Sequence, residues 1–131
     1  MGIEQDYLMR QLMQLFAVIH KILGHREKGE FDAAEKQVQY IYTCLKIDGD
    51  VQRFSIPELL DYLQNQKKLT NEQMELFAFV LKEQGELADE ETQRRNYFSK
   101  ACFLLEKIER ESIVFSMERQ MRLQELKAYL N

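Results

Sequence analysis

Turn-forming residues are scarce in this chain, and their scarcity constrains its fold more than any other feature of the sequence. Its 131 residues include one proline and five glycines, too few for the many tight turns of an all-β domain. Leu, Glu, Gln, Lys, Met and Ala are plentiful, and their side chains lose little rotamer freedom in a helix. The sequence therefore predicts an all-α fold.

Apolar residues recur at intervals of three and four in about six segments, a spacing typical of helices that bury one face. The first predicted helix covers residues 3–23 and the last covers residues 113–130. Two sets of residues define their predicted buried stripes. They are Leu8, Leu12, Leu15, Ile19 and Ile22, widened by Tyr7, Met13, Phe16 and Leu23, in the first helix, and Val114, Met117, Met121, Leu126 and Leu130 in the last.

Capping residues set the predicted ends of the helices. Gly24 is a candidate left-handed cap for the first helix, and the second, which has Asp32 near its start, ends at the turn 48–50. The segments 55–58 and 70–73 both have the capping-box pattern, so they should open the third and fourth helices. Asp89 is the predicted cap of a fifth helix that runs to about residue 109, and a tight turn is predicted at 110–112.

The connections between these helices are short, which predicts antiparallel neighbours. The expected architecture is a single domain over residues 1–131, with helices stacked as antiparallel hairpins in a right-handed array or an irregular bundle. An internal echo supports stacking: Tyr40-x-x-Thr43-Cys44-Leu45 resembles Phe98-x-x-Ala101-Cys102-Phe103. In both, a small residue that lets helices approach follows an aromatic one.

The segment Lys28-Gly29-Glu30-Phe31-Asp32-Ala33-Ala34 resembles the centre of a tetratricopeptide repeat (TPR). Gly29, Phe31 and Ala34 match the glycine, the aromatic and the small residue that this family has around the start of its second helix. Val38 stands where a larger aromatic is usual, and Ile41 where alanine is usual. The resemblance covers about twenty residues and implies a TPR-like fold used for protein contacts.

The opening Ile3-Glu4-Gln5-Asp6-Tyr7-Leu8-Met9-Arg10-Gln11 is similar to the start of a family of small bacterial proteins of uncharacterised function. That similarity implies a bacterial source. The segment lacks a basic stretch followed by an apolar one, and the apolar stretch 15–19 is too short to cross a bilayer. A cytoplasmic location without membrane contact is expected.

Charge and chemistry argue against several function classes. The net charge of −4 disfavours nucleic-acid binding, which needs a basic surface. His20 and His25 are five residues apart, so they do not share a helix face as zinc ligands would. Arg53 stands where a calcium loop starting at Asp48 would need its glycine. We expect no metal and no cofactor.

No catalytic signature is visible either. The sequence contains no GxSxG turn and no glycine-rich phosphate loop. Cys44 and Cys102 do not form a CxxC pair, and Cys102 lies on an apolar stripe that should raise the pKa of its thiol and make it unreactive. We expect a protein that is not an enzyme.

The densest basic cluster contains Arg94, Arg95, Asn96 and Lys100. In TPR domains such side chains clamp the carboxylate of a partner, so the resemblance makes these four residues candidates for partner contact. The alternative is that they form a charged outer face of the fifth helix. The amphipathic helix at the C-terminal end could cap the core or pair with its copy in a homodimer.

The function predicted from the sequence is a non-catalytic helical domain that mediates protein–protein interaction or self-association. The alternative is a small regulatory helical bundle that binds a ligand or metal between helices, with His20, His25, Cys44 and Cys102 as its support. An exposed apolar groove would favour the first, and a closed pocket with convergent polar groups the second.

Overall fold

The computed structural model describes residues 3–131, with side chains from residue 6 onward. Within that range the chain forms six helices and no strand, which confirms the all-α prediction. The helices fall into two compact units, one ending at Asp48 and the other covering Gly49–Asn131. Neither the single domain nor the TPR-like stacking is tested by this division, and both stay predictions. None of the described helices is long and apolar enough to cross a membrane.

The first unit is a pair of helices, α1 (Ile3–Glu27) and α2 (Phe31–Cys44). The predicted cap at Gly24 is wrong, because α1 continues through it for almost one more turn. Gly29 instead has the left-handed conformation, with φ of 76°, which costs little without a Cβ. The amide of Gly29 donates to the carbonyl of Arg26 and the amide of Glu30 to that of His25, the two hydrogen bonds of a Schellman ending.

The two helices bury a shared apolar face. Its buried residues include Leu15, Ile19 and Ile22 on α1 and Ala34, Val38 and Ile41 on α2. The predicted stripe on α1 is wrong in its first half, where Tyr7, Leu8 and Met13 are exposed. The physical reason is length: α2 has 14 residues and α1 has 25, so α2 cannot cover the first turns of α1.

The left-handed residue that follows α2 is a lysine, at a position where glycine is usual. Lys46 has φ of 59°, and hydrogen bonds from its amide to Thr43 and from the amide of Ile47 to Tyr42 complete a second Schellman ending. This ending buries Leu45 and Ile47. The helix therefore stops a few residues before the predicted turn at 48–50.

The second unit begins with α3 (Ile56–Asp61), which continues into one turn of π-helix (Tyr62–Gln66), and α4 (Asn71–Leu87). Both predicted capping boxes are confirmed. The amide of Glu58 donates to the hydroxyl of Ser55 and that of Gln73 to Thr70, while the Glu58 and Gln73 side chains accept from the cap amides. Every residue of α4 from 76 to 85 is buried.

Two further helices complete this unit, α5 (Glu91–Glu111) and α6 (Met117–Leu130). Contacts join the start of α4 to the end of α5, through Asn71 and Glu111, and the start of α5 to the end of α6, through Arg95 and Leu130. The three helices α4, α5 and α6 are therefore packed as successive antiparallel neighbours.

The boundaries of α5 differ from the predicted ones. Its N-cap residue is Glu90, without a side-chain cap, so the prediction of Asp89 as the cap is wrong. The helix runs to Glu111, and the break that was expected at 110–112 lies at 112–116 instead. Phe98, Ala101 and Cys102 are buried, because these residues lie at helical spacing on one face of the helix, and the predicted apolar surroundings of Cys102 are thereby confirmed.

The predicted start of α6 is also wrong, and its predicted buried face is only partly correct. The helix begins at Met117 after the cap Ser116, and Val114, Met117 and Met121 are exposed. Leu126 is buried as predicted, Leu130 is half-buried, and Leu123, which the predicted stripe left out, is buried as well. Since α6 has apolar residues on two faces, its packing against α5 decides which of them is buried.

Candidate protein-interaction surface

The connection from α5 to α6, together with the first turns of α6, carries five exposed apolar side chains. Ile113 is fully exposed, Val114 and Phe115 are each 68% exposed, Met117 is 65% exposed and Met121 is 49% exposed. We call these five residues the apolar patch. Single exposed apolar residues are common on proteins, but five of them within nine residues make this segment a candidate for contact with another molecule.

Two serines hold the first half of the patch out of the helices. Ser112 ends α5 with an extended backbone, and its hydroxyl exchanges hydrogen bonds with the amide and the carbonyl of Val114 at 3.1 Å. Ser116 caps α6 by accepting from the amide of Arg119. Serine side chains compete for backbone hydrogen bonds in this way, and the three residues between them are left without a helix to bury them.

Hydrogen bonds from Arg119 hold the connection between α5 and α6 in place. Its guanidinium donates to Glu109 at 2.7 Å, to Glu75 at 2.6 Å and to the carbonyl of Val114 at 2.8 Å. One side chain thus joins α4, α5 and the patch. Burial opposes the charge of Arg119, but the hydrogen bonds and charges of Glu75 and Glu109 outweigh it and raise the pKa of this group. Arg119 therefore stays charged, and the patch is held in one position.

A cleft of about 410 Å³ lies beside the patch. Its walls come from the first turns of α4, which contribute Asn71, Glu72 and Glu75, and from the end of α5, which contributes Ile108 and Glu111. Residues 112–114, with Ser116 and Arg119, close the remaining side. The cleft combines an apolar floor at Ile108 with carboxylates at its rim, so it could hold a side chain that has both characters.

Around the patch, the positively charged side chains are more deeply buried than the carboxylates that pair with them. Three ion pairs join a buried cation to a more exposed carboxylate: Lys82 to Glu125 at 2.9 Å, Lys107 to Glu111 at 2.8 Å, and Arg119 to Glu109 at 2.7 Å. The cation side chains are 5–10% exposed and the carboxylates 34–47% exposed. An approaching partner therefore meets the carboxylates first.

Hydrogen bonds favour the ionised form of two of these carboxylates, Glu111 and Glu125. Those from Lys107 and Asn71 lower the pKa of Glu111. Burial would raise the pKa of Glu125, but hydrogen bonds and charges from Lys82 and Arg122 lower it overall. The rim of the patch is thus anionic at neutral pH.

The four basic-cluster residues predicted for partner contact lie on α5, and all four make internal contacts. Arg94 donates to the carbonyls of Gly85 and Ala88 at the end of α4, and Arg95 donates to the carbonyl of Leu130. The Asn96 amide donates to the Gln52 carbonyl. These bonds connect α5 to its neighbours, and contact with a partner stays a prediction for these residues.

Lys100 is the most deeply placed member of that cluster, at 4% exposure. Its ammonium donates to the carbonyls of Val51 and Gln52 and to the Asn96 side chain at 2.7–3.0 Å. Burial lowers the pKa of Lys100, although the nearby charge of Asp50 opposes the shift. Two of the ammonium's three donors hold the loop 51–52 against α5, and the third bonds to Asn96 one turn earlier on the same helix.

The two histidines and Cys102 have different surroundings. His20 is exposed, and His25 pairs with Glu30 at 2.9 Å, which lowers the pKa of that carboxyl. Burial, with a hydrogen bond donated to Glu106, raises the pKa of the Cys102 thiol to about 12, as its apolar surroundings predict. Among the described side chains no group of three or more His, Cys, Asp or Glu residues could hold a metal ion.

A second set of exposed apolar side chains belongs to the first unit. Tyr7, Leu8, Met9 and Met13 are 46–69% exposed on the first turns of α1. Tyr7 also lines a cleft of about 400 Å³ together with polar residues of α1 and the end of α2. Among the side chains from residue 6 onward no glutamate or aspartate lines this cleft, whereas the cleft beside the apolar patch has three carboxylates. The patch is therefore the better defined surface.

Sequence reasoning missed the apolar patch because it assigned residues 113–116 to a helix. The available signal was Ser112-Ile113-Val114-Phe115-Ser116 itself, where β-branched residues between two serines favour extended backbone over helix. Only residues of this chain, and no related protein, define this surface. No protein-family model matches the sequence, and no curated protein or solved structure matches it.

Proposed function

We propose that this chain is a non-catalytic helical domain that acts through contact with another protein, and that the apolar patch is its contact surface. The observation that carries the proposal is the exposure of Ile113, Val114 and Phe115, each at least 68% accessible. The TPR resemblance of residues 28–34 supports the same class of function, and a bacterial cytoplasmic setting is part of the proposal.

The physical argument concerns the cost of leaving these side chains in water. Fully burying one Ile, Phe or Met side chain is worth roughly 1.5–3 kcal/mol, so the five residues offer roughly 10 kcal/mol before costs. Association itself costs roughly 4–15 kcal/mol. The patch alone therefore supports weak binding, and tighter binding requires a partner that also fills the adjacent cleft.

The alternative function, ligand or metal binding between helices, has no cluster of metal ligands among the described side chains in its favour. His25 is paired with Glu30, and the Cys102 thiol is hydrogen-bonded to the carboxylate of Glu106. A thiol with a pKa near 12 is a poor nucleophile and a poor metal ligand at neutral pH. These facts support the choice of a protein partner over a small ligand.

Site-specific photo-crosslinking in cells tests the proposal. A photoreactive phenylalanine analogue replaces Phe115 in one variant and Phe31 in another. Both side chains are exposed, at 68% and 58%, but only Phe115 belongs to the patch, which makes Phe31 a matched control. We expect a protein adduct of defined mass from position 115, and its loss when Ile113→Ser is added.

Light scattering coupled to size exclusion then distinguishes a foreign partner from self-association through α6. An adduct of twice the chain mass, with a concentration-dependent dimer, identifies self-association. An adduct of another mass identifies a foreign partner. Equal labelling from positions 115 and 31, or none from either, would contradict the proposal.

A further inference from the structure

We infer that the partner of the apolar patch is a basic amphipathic segment of a different protein. In this segment, bulky apolar side chains alternate with lysine or arginine. The inference rests on the proposed function, because it names the kind of partner that the patch accepts. Two features of the surface carry it: the exposed carboxylates that surround the patch, and the cleft beside Ile113.

Around the patch more carboxylates than cations are accessible to solvent, because three of the nearby cations are buried. Glu72, Glu111 and Glu125 are exposed, and Glu118 is half-buried. The cations beneath them, Lys82, Lys107 and Arg119, are buried and already hydrogen-bonded or ion-paired. Arg110 is exposed and Arg122 is half-buried, and Arg122 is paired with Glu118 and Glu125. A partner therefore gains from bringing donors, since carboxylates bind charged donors more strongly than neutral ones.

The cleft suits the side chain of lysine or arginine in particular. Such a side chain has an apolar stem and a charged head, and it buries the stem along apolar surface while its head meets polar groups. Ile108 and Ile113 line the cleft for the stem, and the Glu72 and Glu111 carboxylates line it for the head. The volume of about 410 Å³ leaves room for one such side chain with its solvating water.

A second copy of this chain fits the same surface poorly. In a twofold symmetric dimer the same patch meets itself, so the carboxylates of Glu72, Glu111 and Glu118 on one copy would face acidic groups on the other. Like charges brought together at an interface oppose binding. The net charge of −4 adds to this repulsion between copies. Charge complementarity therefore favours a basic partner over self-association.

Two synthetic peptides test the inference on the full chain. Both are amphipathic helices with the same leucine and phenylalanine positions, and they differ only in having lysine or glutamate at every polar position. Fluorescence anisotropy of the labelled peptides measures binding. We expect the lysine peptide to bind at least about tenfold more tightly than the glutamate peptide, and to lose affinity as salt rises from about 50 to about 300 mM.

Variants of the chain show where the lysine peptide binds. Ile113→Ser with Phe115→Ser should weaken its binding at least about tenfold, because apolar anchors dominate interface energies. Glu72→Gln with Glu111→Gln should weaken it several-fold. The matched control is Glu27→Gln with Glu35→Gln, which removes the same charge from exposed glutamates of α1 and α2 and should leave binding unchanged. Circular dichroism checks that each variant is folded.

Three outcomes would overturn the inference. One is equal affinity for both peptides, and another is equal loss of binding in the site and control variants. The third is a dimer of the chain alone that dissociates on Phe115→Ser, because a second copy would then occupy the patch. The third outcome leaves the proposed function standing, whereas the absence of any position-dependent crosslink at Phe115 would remove both.

Discussion

Gly85 of α4 faces the ring of Phe98 on α5, and there the packing leaves no room for a methyl group. An added Cβ would lie 2.4 Å from both Cδ1 and Cε1 of that ring. Carbon atoms in favourable contact are about 3.5–4 Å apart, so Gly85→Ala forces the ring to retreat by about 1 Å. The ring belongs to a residue that is only 3% exposed, and it packs edge-on against Tyr129 at 4.8 Å between centroids.

Two opposing effects set the magnitude. Alanine is more favourable than glycine inside a helix by about 1 kcal/mol. Overpacking a buried site costs typically about 1–3 kcal/mol, and a contact this short against a buried ring belongs at the upper end. The free energy of unfolding should therefore fall by about 2 kcal/mol in Gly85→Ala.

Gly24→Ala is the matched control. Gly24 also lies inside a helix, and a Cβ there would meet nothing within 4 Å. The propensity gain acts alone, so this variant should be stabilised by up to about 1 kcal/mol. The same chemical change is thus expected to have opposite signs at the two positions.

Urea unfolding followed by circular dichroism measures both variants, and Phe98→Leu completes a double-mutant cycle with Gly85→Ala. A smaller side chain at position 98 should relieve the clash, so the alanine should cost clearly less in that background. If Gly85→Ala is as stable as the wild type, or if its cost is the same in the Phe98→Leu background, the packing argument fails.

Three further predictions concern single side chains. Lys46→Gly should raise the free energy of unfolding by roughly 0.5–1 kcal/mol, because Lys46 has φ of 59° and only glycine adopts that conformation without strain. The control Lys36→Gly, inside α2, should lower the free energy of unfolding by about 1 kcal/mol. An unchanged urea midpoint for Lys46→Gly would refute the argument. Arg119→Met should lower the free energy of unfolding by about 3–5 kcal/mol, because Glu75 and Glu109 lose their ion-pair partner Arg119. Adding Glu75→Gln should recover part of that loss in the same urea experiment. If nothing is recovered, the lost ion pair is not the cause. Burial raises the pKa of the Cys102 thiol from 9.0 to about 12, so the unfolded chain loses this proton at lower pH than the folded one. The free energy of unfolding should therefore fall as pH rises from 9 toward 12, by at most about 1.4 kcal/mol per pH unit. Cys102→Ala should show a shallower fall, and equal slopes for the two proteins between pH 8 and about 10.5 would refute the assignment.

Helix-forming segments and local caps could be predicted from the sequence because the interactions that fix them are short in range. The hydrogen bonds between Ser55 and Glu58, and between Thr70 and Gln73, join residues three apart. They form whatever the rest of the chain does. The capping prediction failed at Asp89, where the neighbouring Glu90 takes the cap position without a side-chain bond, since several acidic residues compete for one place.

The sequence did not determine which polar side chains form hydrogen bonds with distant parts of the same chain. Lys100 was predicted to contact a partner, and its ammonium donates to the carbonyl of Val51, 49 residues away. Arg119 joins Glu75, 44 residues away, to the connection before α6. Hydrogen bonds over such separations follow from how the helices pack, so no local pattern predicts them.

By itself the sequence determined that the chain is helical and where most of its helices lie, because helical spacing and caps act over a few residues. Only the tertiary structure decided which apolar residues are exposed. On α6 the predicted stripe joins Met117 and Met121 to Leu126, whereas packing against α5 buries Leu126 together with Leu123 and leaves both methionines exposed. A helix can bury only the face that a neighbour covers, and the position of that neighbour is a property of the whole fold.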